Sequence, residues 1–163
     1  MPAQTPQAPA PDVQAVYLFD FAKFVRWPAG SEGPLRFCIA GPLAFADALR
    51  KIVSEGTIEG HPLEVTRVAQ PSETEGCSVL YIDDSEKDHL DAFLAAVDAK
   101  PALTVSDLPD FMAHGGMIQF VPLAKRMRFS VNLDPVKRSG LSLSSELLKV
   151  AVAVMGNTSG GAP

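Results

Sequence analysis

The sequence predicts an α/β fold: a layered sandwich with a central, mostly parallel sheet, helices on both faces and an antiparallel edge near the C-terminus. Two observations lead to this class. Short apolar runs alternate along the chain with segments of helical periodicity, which is the order that a parallel sheet requires. The last two expected strands are joined by only a short polar link, which favours an antiparallel pair.

The two ends of the chain set the expected domain boundaries. Residues 1–11 contain four prolines and almost no apolar side chain to bury, and residues 156–163 are rich in Gly and Ser. We expect disordered tails over 1–11 and 156–163 and a single domain over 12–155. The first tail lacks the features of a signal peptide. It therefore belongs to a cytosolic protein, or it is the remnant after a signal peptide was removed.

The first expected element is a helix that begins at Asp12, a residue type favoured at N-caps, and ends at Trp27 because Pro28 follows. In the second helix, Phe45–Val53, apolar residues recur at helical spacing. The remaining expected elements are strands Leu35–Ala40, Leu63–Val68, Cys77–Ile82, Leu103–Val105, Met117–Val121 and Met127–Asn132, and helices Glu86–Asp98, Ser106–His114 and Ser142 or Ser144 to Met155.

The last of these helices is predicted to be structural. Its apolar residues recur at the spacing of one helix face, so we expect all of them in the core. They are Leu143, Leu147, Val150 and Val154.

Composition excludes several classes of function. The chain has 163 residues, 47% of them hydrophobic, and a formal net charge of −5. This composition is typical of a single globular domain and provides enough apolar side chains for a core. A nucleic-acid partner is not expected because a basic footprint is missing. Direct membrane insertion is not expected either, because no run of 18 apolar residues occurs.

No local motif indicates an enzyme. The histidines His61, His89 and His114 do not have metal-ligand spacing, and no nucleophile elbow of the form GxSxG is present. Gly115-Gly116 precedes a strand, so it is read as a helix end rather than a phosphate loop. We therefore expect no catalytic residues, no metal and no cofactor.

Aromatic residues are concentrated near the start of the domain. Five of the twelve lie within eleven residues, namely Tyr17, Phe19, Phe21, Phe24 and Trp27. On one helix they do not share a face, so the helix is either buried on several sides or carries an exposed patch for dimerisation or partner docking. A basic cluster at Lys125, Arg126 and Arg128 is the second surface candidate; the alternative is a polar rim.

The two cysteines, Cys38 and Cys77, lie 39 residues apart in two expected core strands. In a cytosolic protein they would be buried thiols, whereas export would favour a disulfide. The residues alone do not decide between the two.

Residues 17–28, YLFDFAKFVRWP, resemble the opening helix of the YfiR-like family. Five further blocks follow in the family's order. They are 35–41 (LRFCIAG), 76–82 (GCSVLYI), 103–118 (from LTVSD to GGMI), 128–133 (RFSVNL) and 139–148 (SGLSLSSELL). The resemblance covers about residues 13–154.

The resemblance implies a periplasmic α/β protein without catalytic residues. The best understood type of member is a negative regulator that restrains an inner-membrane diguanylate cyclase through that enzyme's periplasmic part, and so lowers cyclic-di-GMP. We therefore expect the partner to be such a cyclase or a related sensor, and we expect a homodimer through the aromatic helix. In the periplasm Cys38 and Cys77 can form an intramolecular disulfide. Relatives can carry a second cysteine pair, which this chain lacks, so redox behaviour that depends on it does not carry over.

A periplasmic small-ligand sensor is the alternative function. Its pocket would lie at the carboxyl ends of the parallel strands, where ligands bind in open α/β sheets. The residues that follow the expected strands, and would line that pocket, are Gly41, Asp83, Asp84, Ser106 and Asp107.

Overall fold

The structure, a computed structural model, describes residues 10–28, 33–54, 56–123 and 126–156. The helices are α1 (Ala10–Lys23), α2 (Leu43–Val53), α3 (Leu90–Val97), α4 (Leu133–Arg138) and α5 (Ser145–Val150). The strands are β1 (Val25–Arg26), β2 (Leu35–Ala40), β3 (Leu63–Arg67), β4 (Val79–Ile82), β5 (Leu103–Ser106), β6 (Ile118–Leu123), β7 (Arg126–Asn132), β8 (Ser142–Leu143) and β9 (Ala153–Met155). Short 3₁₀ helices span Pro71–Thr74, Asp84–His89 and Met112–His114.

The described strands form one large sheet and one small sheet. The large sheet has seven strands in the order β3-β2-β4-β5-β6-β7-β9. Its first five strands are parallel, β7 is antiparallel to β6, and β9 is parallel to β7. Strands β1 and β8 pair separately as a small antiparallel sheet. The predicted class is confirmed: a mostly parallel central sheet with an antiparallel pair near the C-terminus.

Helices cover both faces of the large sheet, and the side chains of β4 show why. Val79 and Tyr81 belong to the core under α1 and α2, while Leu80 and Ile82 belong to a second core under α3. Successive side chains of a strand point to opposite faces, so a strand buried on both sides must be apolar throughout. This is why the central strand was recognisable in the sequence.

The chain reverses its winding direction between β2 and β4. From β2 it passes through α2 to β3 on one side, and from β4 through α3 to β5 on the other. The two central strands pair directly, with Ala40 opposite Ile82. Gly41 and Asp83 therefore emerge side by side, at the place where open α/β sheets have their binding crevice.

The first helix differs from its predicted bounds. It begins at Ala10, because a proline such as Pro11 is tolerated in the first helical turn. It ends at Lys23 rather than Trp27, because the following residues form β1 and pair with β8. Ala10, Pro11 and Gly156 lie within the described residues; the rest of the two expected tails, 1–9 and 157–163, lies outside them.

The C-terminal region corrects the prediction of one long final helix. Helix α5 covers only Ser145–Val150, and Ala153–Met155 is a strand parallel to β7. Leu147 is 4% exposed and belongs to the core as predicted, whereas Val150 is 55% exposed. Leu143 and Val154 lie in strands and are half-buried.

Two smaller predictions were close. Asp83 caps its helical segment, with its side chain accepting a hydrogen bond from the Ser85 amide, but the segment opens as a 3₁₀ helix before α3. Gly115 ends the helical turn before β6 in the left-handed conformation, with φ at 100°, and its amide donates to the Met112 carbonyl. The interpretation of this glycine as a helix end is therefore confirmed.

Candidate functional site

The aromatic residues of α1 pack mainly against the β6–β7 hairpin. The Phe21 ring meets the edge of Phe129 at 4.8 Å between centroids, and Phe21 is 2% exposed. Phe21 is therefore a core residue, which corrects the expectation that it belongs to an exposed patch. The Tyr17 ring stacks on Phe120 at 5.9 Å, and its hydroxyl donates to the Met127 carbonyl at 2.8 Å.

The other three aromatic residues of this region are half-buried. Phe19 packs on the edge of the first core and carries the Lys23 ammonium 4.5 Å from its ring centroid. Phe24 and Trp27 follow the helix and pack against the same core. Because none of them is fully exposed, a partner surface here would have to use the outer edges of these rings. Their role in partner binding stays a prediction.

The structure brings one residue of each predicted surface into the same groove. Tyr17, from the aromatic helix, and Arg128, from the basic cluster, both line a cavity of about 520 Å³. Its other walls are Met127, Phe129 and Val150. The Arg128 guanidinium donates to the Val150 carbonyl at 3.2 Å, which fixes the arginine across the groove. Lys125 lies outside the described residues, and for Arg126 only its place in β7 is described.

Most of this groove is not predicted by the sequence. Met127 and Phe129 lie in a strand, as predicted, but nothing local marks them as groove residues, and the prediction that Val150 is a core residue is wrong. The signal that could have identified Val150 is the alternation of Val150, Val152 and Val154, which has the period of a strand rather than a helix.

Cys38 and Cys77 form a disulfide, as predicted. Their Cα atoms lie 5.9 Å apart, and the bond links β2 to the residue two positions before β4. Both residues are buried in the core under α3, with Cys38 at 0% and Cys77 at 7% exposure. A buried disulfide between core elements is typical of proteins from oxidising compartments.

Tyr81 lies under the carboxyl edge of the sheet and is fully buried. Its ring stacks on Phe45 at 4.1 Å between centroids. Its hydroxyl lies 3.2 Å from the Gln14 amide oxygen and 3.4 Å from an Asp83 carboxylate oxygen. Burial, followed by the negative charges of Asp107 and Asp83, raises the pKa of the Tyr81 hydroxyl far above its usual range. The hydroxyl therefore stays protonated and can donate a hydrogen bond at this edge of the sheet.

Asp107 is the unusual carboxylate of this edge. Its Oδ1 atom is buried and has no hydrogen-bond partner among the described residues. Burial, followed by the charges of Asp83 and Asp84, raises the pKa of Asp107 from its ordinary value of 3.8 to about 6. These three aspartates each place one carboxylate oxygen within 4.8 Å of the others, so together they could offer ligands to a cation.

Of the five residues predicted to line a pocket at this edge, the structure brings some together and makes others unavailable to a ligand. It gathers Asp83, Asp84 and Asp107, and it holds Gly41 so close to Asp83 that an added Cβ would lie 2.7 Å from the Asp83 Cβ. Ser106 is not available to a ligand, because it is fully buried and its hydroxyl already makes two hydrogen bonds. The hydroxyl donates to the Ile82 carbonyl and accepts from the Leu108 amide. Tyr81 and Gln14 were not predicted, because nothing local in the sequence links an N-terminal helix to β4.

Among the described residues, no helix is long and apolar enough to cross a membrane.

The solved structures that are similar to this chain include two bacterial proteins. A conserved domain protein from Vibrio cholerae O1 biovar El Tor strain N16961 matches with a TM-score of 0.63 and 9% identity, over 93% of this chain and 62% of that one. The ABC domain in complex with L-Trp from Streptococcus pneumonia matches with a TM-score of 0.57 and 11% identity, over 89% of this chain and 62% of that one. At these identities the similarity shows the fold alone, and the chain spans about 62% of the length of each protein.

The comparison with protein families shows more than the fold. A family model described as YfiR/HmsC-like matches residues 11–152. This span includes all of α1 but its first residue, the disulfide, the three aspartates and every strand of the large sheet except β9. Members of that family are periplasmic regulators rather than enzymes. The chain belongs to the YfiR/HmsC-like family.

Proposed function

We propose that this protein is a periplasmic, non-enzymatic regulator that binds the periplasmic part of a membrane diguanylate cyclase and restrains it, so that cyclic-di-GMP falls. The observation that carries the proposal is the family match over residues 11–152. The buried Cys38–Cys77 disulfide supports a periplasmic location, because such bonds persist in oxidising compartments.

A regulator can restrain a cyclase by binding only if its affinities for the two states of the cyclase differ. A regulator lowers the activity of a two-state cyclase only if it binds the inactive state more tightly than the active one. The half-buried ring of Phe19 on α1 is a candidate contact, since large aromatics are frequent anchors of interfaces. Homodimerisation through the same helix is part of the proposal, because two-fold pairing is the commonest association of identical chains.

Two measurements test this function. Deleting the gene in the source bacterium should raise cyclic-di-GMP, and the purified protein should bind the soluble periplasmic segment of at least one of its diguanylate cyclases. Phe19→Glu should leave the protein folded and weaken this binding or the dimer. Lys51→Glu on the exposed side of α2 is the matched control. Unchanged cyclic-di-GMP and no binding to any cyclase segment would contradict the proposal.

A small-ligand sensor is the second candidate function, and the unpartnered Asp107 oxygen at the winding reversal favours it. A buried polar atom without a partner is costly, so a ligand that supplies a cation or a hydrogen-bond donor would be stabilised there. Calcium or an amino acid that raises the melting temperature of the wild type, but not of Asp107→Asn, would support the sensor. If no compound of either class shifts the melting temperature, this candidate is excluded.

A further inference from the structure

The groove between α1 and the C-terminal region combines two properties that interfaces use. Its floor and walls are apolar or aromatic, formed by Tyr17, Phe129, Met127 and the exposed Val150. An exposed branched side chain beside half-buried aromatic surface is a site where burial by a partner would be favourable.

Among the described residues that line the groove, the charged one is the basic Arg128. Arg128 lies across the groove, bonded to the Val150 carbonyl, and the exposed Lys149 stands next to Val150 on α5. None of the described residues that line the groove is Asp or Glu, although Glu146 lies one helical turn before Val150 on α5. In a chain of net charge −5, the lining of the groove therefore carries a positive charge.

We infer that this groove binds an acidic, apolar segment of the partner protein, a peptide stretch in which Asp or Glu flanks a large apolar side chain. The apolar side chain would fill the space between Tyr17 and Val150, and its acidic neighbours would face Arg128. This inference rests on the proposed function and adds to it the chemistry of the contact. Complementary charge fixes the register of such a segment and speeds its association.

Substitutions at Val150 separate the apolar from the electrostatic part of the inference. Val150→Asp and Val150→Lys remove the same apolar contact but add opposite charges. Leu43 on α2 is a matched control, because it is also an exposed apolar helix residue, at 51% against 55% for Val150. The probe is the periplasmic cyclase segment that binds the wild type, and its Kd is measured for Val150→Asp, Val150→Lys, Leu43→Asp and Leu43→Lys.

We expect Val150→Asp to weaken binding by about tenfold more than Val150→Lys, since only the aspartate repels an acidic segment. Lys149→Glu should weaken binding as well, whereas Lys51→Glu and both Leu43 variants should change Kd less than about twofold. Added NaCl should weaken binding of the wild type and should do so less for Lys149→Glu. Circular dichroism should show that each variant is folded.

The outcomes distinguish the inference from the function on which it rests. If the wild type binds the cyclase segment and the Val150 variants bind equally well, the groove is not the docking site, while the proposed function stands. If Asp and Lys at Val150 weaken binding equally, the segment is not acidic and the inference is wrong. If the Val150 variants instead abolish self-association in sedimentation experiments, the occupant is a second copy, which also overturns it. If the wild type binds no cyclase segment, the proposed function itself fails.

Discussion

The parallel half of the sheet and the C-terminal region are built from different kinds of sequence. From β2 to β5 each strand and α-helix was predicted from its own residues, to within a few positions at the ends of strands and about four at the start of α3. From residue 133 onward, the single predicted helix is in fact the short helix α5 flanked by strands β8 and β9, and α4 lies where no element was predicted. The difference teaches that local sequence determines structure where an element is buried throughout, as β4 and β5 are, and not where its side chains are partly exposed, as in β8 and β9.

The largest effect is expected in the parallel half, from the disulfide. Replacing both Cys38 and Cys77 with Ala removes a cross-link between residues 39 positions apart. A loop of this length should be worth roughly 4 kcal/mol through the entropy of the unfolded chain. Urea unfolding of the double variant measures the loss, and the reduced wild type should unfold at a similar concentration. A loss below about 1 kcal/mol would show that the bond constrains little.

The next prediction contrasts two residues of α5. Leu147→Ala should cost about 2–5 kcal/mol, because its side chain is 4% exposed and leaves a cavity under the sheet. Val150→Ala, only three residues later, should cost less than about 0.5 kcal/mol because Val150 is exposed. Thermal unfolding of both variants checks the contrast. Equal losses would mean that α5 continues as the longer helix expected from sequence.

A smaller and pH-dependent effect is expected at Asp107, at the carboxyl edge of the parallel half. Its pKa is raised from 3.8 to about 6 on folding, so between these values the folded chain binds more protons than the unfolded chain. Stability from this group is therefore lost as pH rises through that window and stays lost above it. Because the side chain is only partly buried, solvent screening reduces the penalty to about 1–2 kcal/mol.

Asp107→Asn should accordingly stabilise the protein at pH about 8 and do so much less at pH about 4.5. Asp110→Asn is the control, since Asp110 is exposed. Melting temperatures across this pH range provide the test. The same stabilisation at both pH values would show that the charge of Asp107 is not what destabilises the fold.

The smallest predicted effect concerns the start of α5. The Ser144 hydroxyl accepts a hydrogen bond from the Glu146 amide at 3.0 Å, which caps the helix. Ser144→Ala should cost about 1 kcal/mol. Ser145→Ala, one residue later and outside the cap, should be close to neutral. If the two variants unfold at the same temperature, tertiary pairing alone holds α5 in place.

In the candidate site, as in the fold, some features were predictable from the sequence and others were not. The disulfide was predicted once the family resemblance implied a periplasmic protein, and Asp83, Asp84 and Asp107 were placed at one edge because parallel strands end together. The contact of Tyr81 with Gln14 could not be predicted, since it joins residues 67 positions apart and neither residue carries a local motif. The groove lined by Tyr17, Arg128 and Val150 was equally hidden, because three separate elements form it.

By itself, the sequence determined the fold class, the buried central strands, α2, the glycine at the end of the turn before β6 and the family. These features depend on periodicity, on backbone freedom or on motifs that lie within a few residues of one another. Tertiary structure alone decided where α1 ends, that Val25 pairs with Leu143, and that Ala153–Met155 is a strand on β7. In each of these cases the conformation is set by backbone groups that pair with a segment distant in the sequence, which local periodicity does not show.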